Sequence, residues 1–303
     1  MRILMSGATG FIGNHLVSYF QNEGHTLYIL TRHPKEDQDN IHYIEWLTDD
    51  NVVPDLGTTR IDVCINLAGA SINGSRWTDE YKEKILKSRL EATSALLEIV
   101  KRLEQRPTTW INASAINIYP SSKRTIYLDT VKNPHKDDFL ADTVARWEAK
   151  AKEAEALGIR VVFTRFGLVL GNDGGAFPVF QKLFASFLGG RFAHGKNWYS
   201  FIHIDDLVRG YGHIIDHPEI SGVVNLTAPH PVTQKKFANI LGHALHRPSK
   251  VNIPKFALRI GAGERATVLL ESQRAQPQKL IESQFHFQYP TIEEAVDALI
   301  DDK

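Results

Sequence analysis

The stretch MRILMSGATGFIG, Met1 to Gly13, decides the fold. An apolar run, Ile3-Leu4-Met5, leads straight into three glycines, Gly7, Gly10 and Gly13, and a helical pattern then runs from Phe11 to Phe20. Strand, glycine-rich turn and helix in that order open a dinucleotide-binding βαβ unit. Gly7 permits the sharp turn off the strand, Gly10 lets backbone N–H groups approach a pyrophosphate, and Gly13 lets the helix pack close to the strand. Ala8, Thr9, Phe11 and Ile12 complete the turn, and the helix start offers unpaired N–H donors and the positive end of its dipole to phosphates.

Outward from this stretch, strand and helix signals alternate. Strands are expected at Arg2–Ser6, Thr26–Thr31, His42–Trp46, Asp62–Leu67, Thr109–Ser114 and Arg160–Arg165, and helices at Phe11–Asn22, Thr78–Gln105 and Phe139–Leu157. Near-continuous apolar strands separated by helices predict an α/β fold: a Rossmann-type doubly wound parallel sheet covered on both faces. After Gly167 the composition changes. GLVLGNDGGAF and FLGGRFAHGKNWYSF are rich in glycine and aromatics, as loops over a cleft are. A further strand (Gly222–Thr227), a helix capped by Thr233, a helix after Pro254 and a short aromatic strand in FHFQYP before a helix opening at Thr291 complete the chain. Residues 1–167, with a strand returning near 222–227, read as the nucleotide-binding core. Residues 168–303 read mostly as a smaller α/β C-terminal domain on the substrate side.

The 303 residues carry no formal net charge and are 43% hydrophobic, which suits one large or two small globular units and gives no argument for nucleic acid or an anionic membrane. The single cysteine, Cys64, lies in an apolar run, so no internal disulfide is possible and a small buried hydrophobe is the better reading. The first strand begins within two residues of Met1, leaving no room for a signal peptide, and no apolar run approaches the ~20 residues that span a bilayer. A cytoplasmic protein is expected. The sequence leaves an oligomer open.

Four separated motifs resemble the extended short-chain dehydrogenase/reductase superfamily: GATGFIG, NLAGA (Asn66–Ala70), NASA (Asn112–Ala115) and FIHIDDL (Phe201–Leu207). RWTDEYKEKILKSRLEAT (Arg76–Thr93), ARWEAKA (Ala145–Ala151), RFGLVLGNDGGAF (Arg165–Phe177) and the tail SQRAQPQKLIESQFHFQYPTIEEA narrow the likeness to an atypical branch, the YfcH-like epimerase family, which has its own C-terminal segment. The resemblance runs through essentially the whole chain. It implies a Rossmann domain, a small C-terminal substrate-side domain and bound NADP(H), without implying a particular reaction.

The residues bear on the cofactor independently. An acid about twenty positions past the glycine turn would bind a ribose 2′-hydroxyl and favour NAD. Here that place holds Arg32, nineteen residues after Gly13, and no carboxylate precedes Glu36. A guanidinium pairs bidentately with a 2′-phosphate, so NADP(H) is expected over NAD(H), with His33 as a surface histidine. Leu67, Ala68 and Gly69 follow the fourth strand, where the middle of the cofactor should lie on backbone. Arg165 and Gly167 end the sixth strand on the nicotinamide side, although Arg165 reads equally well as a buried structural arginine.

Hydride chemistry in this superfamily uses a Tyr and a Lys four residues apart on one helix, where the ammonium lowers the phenol's pKa. Tyr119 and Lys123 have the spacing but sit in a Pro/Ser-rich loop, where it loses its meaning. Counting back from Glu148 by the resemblance, the Tyr and Lys places hold Leu140 and Val144. Three readings follow: a reductase or epimerase that uses Ser114 as hydrogen-bond donor and Tyr119 as acid; a non-catalytic NADP(H)-dependent regulatory or sensor protein; and a relic that binds cofactor to no effect. Gly189, Gly190, Gly195, Trp198, Tyr199 and His203 form the wall of a cleft for a small-molecule substrate. His203, Asp205 and Asp206 do not have zinc-site spacing, and Asp205 is expected to cap the next helix. Arg209 is read as an exposed helix arginine, and KEKILKSRLE as a solvated face in which Ser88 and Arg89 match a family motif, with the cofactor or a helix neighbour within reach of Arg89.

Overall fold

The computed structural model describes residues 1–48, 53–131 and 137–301. Seven parallel strands form the central sheet: β1 (Arg2–Ser6), β2 (Thr26–Thr31), β3 (Ile41–Glu45), β4 (Val63–Asn66), β5 (Thr109–Ala115), β6 (Arg160–Phe166) and β7 (Gly222–Leu226). Their order across the sheet is β7-β6-β5-β4-β1-β2-β3. The order reverses between β1 and β4, and it is outside the carboxyl ends of the strands at such a switch point that ligands bind.

Alternation along β1 assigns the two faces. Ile3 and Met5 join Leu16 and Phe20 of α1 (Phe11–Asn22) in one core, while Leu4 joins Leu96, Val100 and Trp110 in the other, beneath α2 (Asp79–Arg102). The buried Cys64 belongs to this second core, and burial pushes its thiol well up. Thr78 caps α2 by accepting from Tyr81 N, and Asp138 caps α3 (Phe139–Lys152) by accepting from Ala141 N. The last turns expected of α3 tighten into a 3₁₀ segment, Glu153–Leu157, which Gly158 closes with a φ of +79°.

Past β6 the glycine- and aromatic-rich stretches are more ordered than loops. Leu168–Leu170 pairs in parallel with Phe201–His203, and α4 (Phe177–Ala185) lies between them in sequence. Phe177, Phe180 and Phe184 recur along one face of α4. They pack with Phe192, Tyr199, Phe237 of α6 (Gln234–Ala244) and Val296 of the last helix, Ile292–Asp301, in a third core. Thr291 and Glu294 open that last helix as a capping box. FHFQYP is not a strand. Both backbone N–H groups of Gln288 and Tyr289 donate to the Asp206 carboxylate, and Phe285 meets Phe287 edge to face, so its alternating aromatics come from packing on α5 (Ile204–Asp216), not from a ladder. No helix among the described residues is long and apolar enough to cross a membrane.

Candidate cofactor site and the cluster beside it

The glycine turn is built by close approach. At Gly7, φ is +72°, and a Cβ would stand 2.6 Å from the Leu67 carbonyl carbon. At Gly13 a Cβ would stand 2.3 Å from the Gly7 oxygen. The turn is thereby pressed between the start of α1 and the loop after β4. Ala8 is buried, Thr9 and Gly10 are exposed, and Phe11 and Ile12 are half-buried. Gly10 makes no side-chain cap and the first turn of α1 carries no acid, so the helix start keeps free donors and an unopposed dipole. This cradle fits a pyrophosphate. Arg32 stands exposed just past β2, with no hydrogen bond or ion pair among the described residues.

Under the loop Leu67–Ala70 lies a buried polar network. Ser6 Oγ donates to Asn66 Oδ1 (2.7 Å); Asn66 Nδ2 donates to Thr93 Oγ1 (2.9 Å) and Asn112 Oδ1 (2.7 Å). Trp147 and Trp110 add indole donors to Thr93 and Asn112 respectively, and Thr93 passes its own proton to Arg89 O. Ser88 Oγ accepts from Ala70 N, and Arg89 Nη1 donates to Ala70 O (3.0 Å). The charge run on α2 is therefore not wholly a solvated face: Ser88 and Arg89 turn inward and hold this loop.

A second cluster stands at the carboxyl ends of β5 and β6. Ser114 Oγ donates to Glu148 Oε1 (2.5 Å), and Arg165 binds the same carboxylate through Nε and Nη2, each at 2.8 Å. Burial opposes the Arg165 charge, yet the Glu148 carboxylate overcomes it and raises the guanidinium's pKa. Arg165 is thus buried and paired with Glu148. It lies over the ring of Tyr119, which stacks on Tyr127 at 4.7 Å and donates to Asn225 Oδ1 (2.8 Å). Burial pushes the Tyr119 phenol up, with Arg165 pulling partly back. Asp129 accepts from Asn225 N and Lys279 N, and burial pushes its carboxyl up to about 6. Leu140 and Val144 are buried apolar side chains, so α3 presents no titrating pair at those positions. Glu148, one turn beyond Val144, is the ionisable group that this helix turns inward. The sequence signalled it only as a counting mark.

Other expected residues are tied into the fold. A Cβ on Gly167 would stand 2.5 Å from Ser200 O, so this glycine serves a chain crossing. Trp198 Nε1 donates to Lys123 O, and the buried Tyr199 donates to Leu269 O. His203, and not Asp205, caps α5, accepting at Nδ1 from Asp205 N. Arg209 is only partly exposed; it pairs with Asp206 at 3.1 Å and covers Phe285. The glycines of GNDGG seat Phe11: a Cβ at Gly174 would stand 2.4 Å from its ring, and His15 bonds Asp173 at 2.9 Å alongside.

Comparison with known proteins follows the same lines. The model of the NAD dependent epimerase/dehydratase family matches residues 3–226, and that of a domain of unknown function (DUF1731) matches residues 253–299. "Epimerase family protein YfhF" of Bacillus subtilis is 38% identical over 305 residues, covering 100% of this chain and 99% of that one. An epimerase family protein of Staphylococcus saprophyticus is 41% identical, covering 98% of each. Among solved structures, human epimerase family protein SDR39U1 with NADPH superposes with a TM-score of 0.89 at 30% identity, covering all of both chains. With its glycine turn, its sheet order and these whole-length likenesses, the chain belongs to the NAD dependent epimerase/dehydratase family.

Proposed function

We propose that the protein binds NADP(H) and acts, in the cytoplasm, as an oxidoreductase or nucleotide-sugar-epimerase-like enzyme on a small molecule. The carrying observation is the pairing of an uncapped, acid-free α1 N-terminus with an unengaged Arg32 just past β2. The first accepts a pyrophosphate, and the second suits a 2′-phosphate better than a ribose hydroxyl. That the human relative was solved with NADPH supports the choice. Residues 1–167 with β7 would hold the dinucleotide, and the remainder would cover the substrate.

When bound, the dinucleotide supplies hydride chemistry. The chain supplies orientation: Gly7, Ala8, Thr9, Gly10, Phe11, Ile12 and Gly13 hold the phosphates, and Leu67, Ala68 and Gly69 present backbone. Ser114 and Tyr119 are the polar groups nearest in kind to the missing pair. Calorimetric titration with NADP+, NADPH, NAD+ and NADH after stripping nucleotide tests the reading; micromolar affinity for the phosphorylated pair is expected, and no binding of any of the four would overturn it.

A second reading, a non-catalytic NADP(H)-dependent sensor, has its own observation. Leu140 and Val144 are apolar, and the hydroxyls of Ser114 and Tyr119 already donate within the protein. Tight binding without turnover of NADPH across a panel of carbonyl compounds, together with a raised melting temperature, favours it.

A further inference from the structure

Arg89 is held as a ligand-binding arginine is held. Its Nη1 donates to Ala70 O (3.0 Å) and Ile85 O (2.9 Å), and its guanidinium lies over the Trp147 ring at 5.0 Å. A Cβ on Gly69 would come within 2.9 Å of it, so the loop is shaped around this side chain. These contacts fix the plane of the fork without neutralising it, because neither a carbonyl nor an indole face replaces a carboxylate.

The counter-charge is missing. Among the described residues no Asp or Glu pairs with Arg89, and its Nε and Nη2 make no hydrogen bond. Arg165 and Arg209, in comparable surroundings, have Glu148 and Asp206. Burial lowers the Arg89 pKa to about 10, with no carboxylate to restore it. A half-buried, rigid and uncompensated cation is costly to keep unless an anion completes it. The loop it supports is the one on which the Gly7 turn presses, next to the free N-terminus of α1.

We infer that Arg89, through Nε and Nη2, takes an anionic oxygen of the bound ligand. Resting on the function proposed above, that oxygen belongs to a phosphate of the dinucleotide. An acidic group on a second small molecule in the cleft has the same chemistry.

The test is calorimetry on the full chain, its Arg89→Met variant, which keeps an apolar stem and removes the charge and the fork, and its Arg89→Lys variant, which keeps the stem and the charge without the fork. The probes are NADP+, nicotinamide mononucleotide and inorganic pyrophosphate, the last with and without saturating NADP+. Expected is a loss of about tenfold or more in NADP+ affinity for Arg89→Met, with a shallower salt dependence and an intermediate value for Arg89→Lys. The melting temperature of Arg89→Met should stay near that of the wild type, since removing an uncompensated charge offsets the lost contacts to Ala70 O, Ile85 O and Trp147. Unchanged NADP+ affinity with pyrophosphate binding lost from the NADP+-loaded protein assigns the oxygen to a second molecule. Wild-type affinities for every probe overturn the inference, as does a lower melting temperature with affinities intact. If the wild type binds no dinucleotide, the proposed function falls, and pyrophosphate on the free protein still decides Arg89: bound by wild type and not by Arg89→Met supports it, any other pattern overturns it. Should Arg89→Met fail to fold, Arg89→Lys carries the same comparisons.

Discussion

The Ser114 hydroxyl gives its only proton to Glu148, at the carboxylate oxygen that also receives Arg165 Nε. Both oxygens of that carboxylate accept, Oε1 from Ser114 and Arg165 Nε and Oε2 from Arg165 Nη2. Ser114 therefore offers lone pairs to a further partner. Tyr119 is arranged in the same sense: Asn225 Nδ2 donates to the carbonyls of Tyr127 and Gln276, so its Oδ1 must face the phenol. Both hydroxyls expected to serve a substrate carbonyl have their protons engaged inside the protein.

Removing Glu148 leaves Arg165 buried and unpaired. Glu148→Ala should cost about 3–5 kcal/mol in urea unfolding. Glu148→Gln should cost about 1–3 kcal/mol, since its amide oxygen can still face Arg165 while its NH2 turns to Ser114. A loss below about 1 kcal/mol for Glu148→Ala would mean the pair contributes little.

Gly7 and Gly24 provide a matched comparison, because both have φ near +75° while their surroundings differ. A methyl at Gly24 meets nothing within 4 Å, so Gly24→Ala should cost about 1 kcal/mol of backbone strain. Gly7→Ala adds a backbone clash at Leu67 and should cost several times that, with loss of dinucleotide binding. Equal losses would show that the turn and the loop can move apart.

Arg32 can be separated from the glycine turn by changing only the phosphate. Arg32→Ala should weaken NADP+ by about tenfold or more and leave NAD+ unchanged, as expected for one lost charge-assisted contact. An equal loss for both dinucleotides in the calorimeter would place Arg32 elsewhere.

Asp129 gives a pH dependence of definite sign. Its pKa rises from 3.8 to about 6 on folding, so the folded chain holds this proton more tightly than the unfolded one. Its contribution is fully present below 3.8 and is lost as pH rises through about 6, to the extent of about 3 kcal/mol. The stability of wild type relative to Asp129→Ala, followed by urea unfolding, should therefore fall between pH 4 and pH 7. A rise over that range would reverse the assignment.

What the sequence disclosed was local. The glycine turn, the apolar strands and the caps at Thr78 and Thr291 are written in neighbouring residues, and each stands as expected. Ser114, Glu148 and Arg165 are separated by 34 and 17 residues and meet only because β5 and β6 are neighbours under α3. A motif match set Arg89 apart and left it two partners, the cofactor or a helix neighbour, because a charge run does not say which way its members face. The aromatics of FHFQYP alternate as a strand's would, yet what holds that backbone is the carboxylate of Asp206, more than eighty residues earlier, which no local pattern reveals.

The network of Ser6, Asn66, Thr93, Asn112 and Trp147 has a bearing on how such a chain can diverge. Thr93 uses its one proton and both lone pairs, and Asn66 uses its amide oxygen twice and both amide protons. Replacing Asn66, Thr93 or Asn112 strands a buried donor, which is costlier than never having had the group, whereas Ser6 and Trp147 only donate to acceptors that keep a second donor. Asn66, Thr93 and Asn112, far apart in the chain, must therefore change together or not at all, so drift should run around them and leave them in place as the surrounding surface is rewritten.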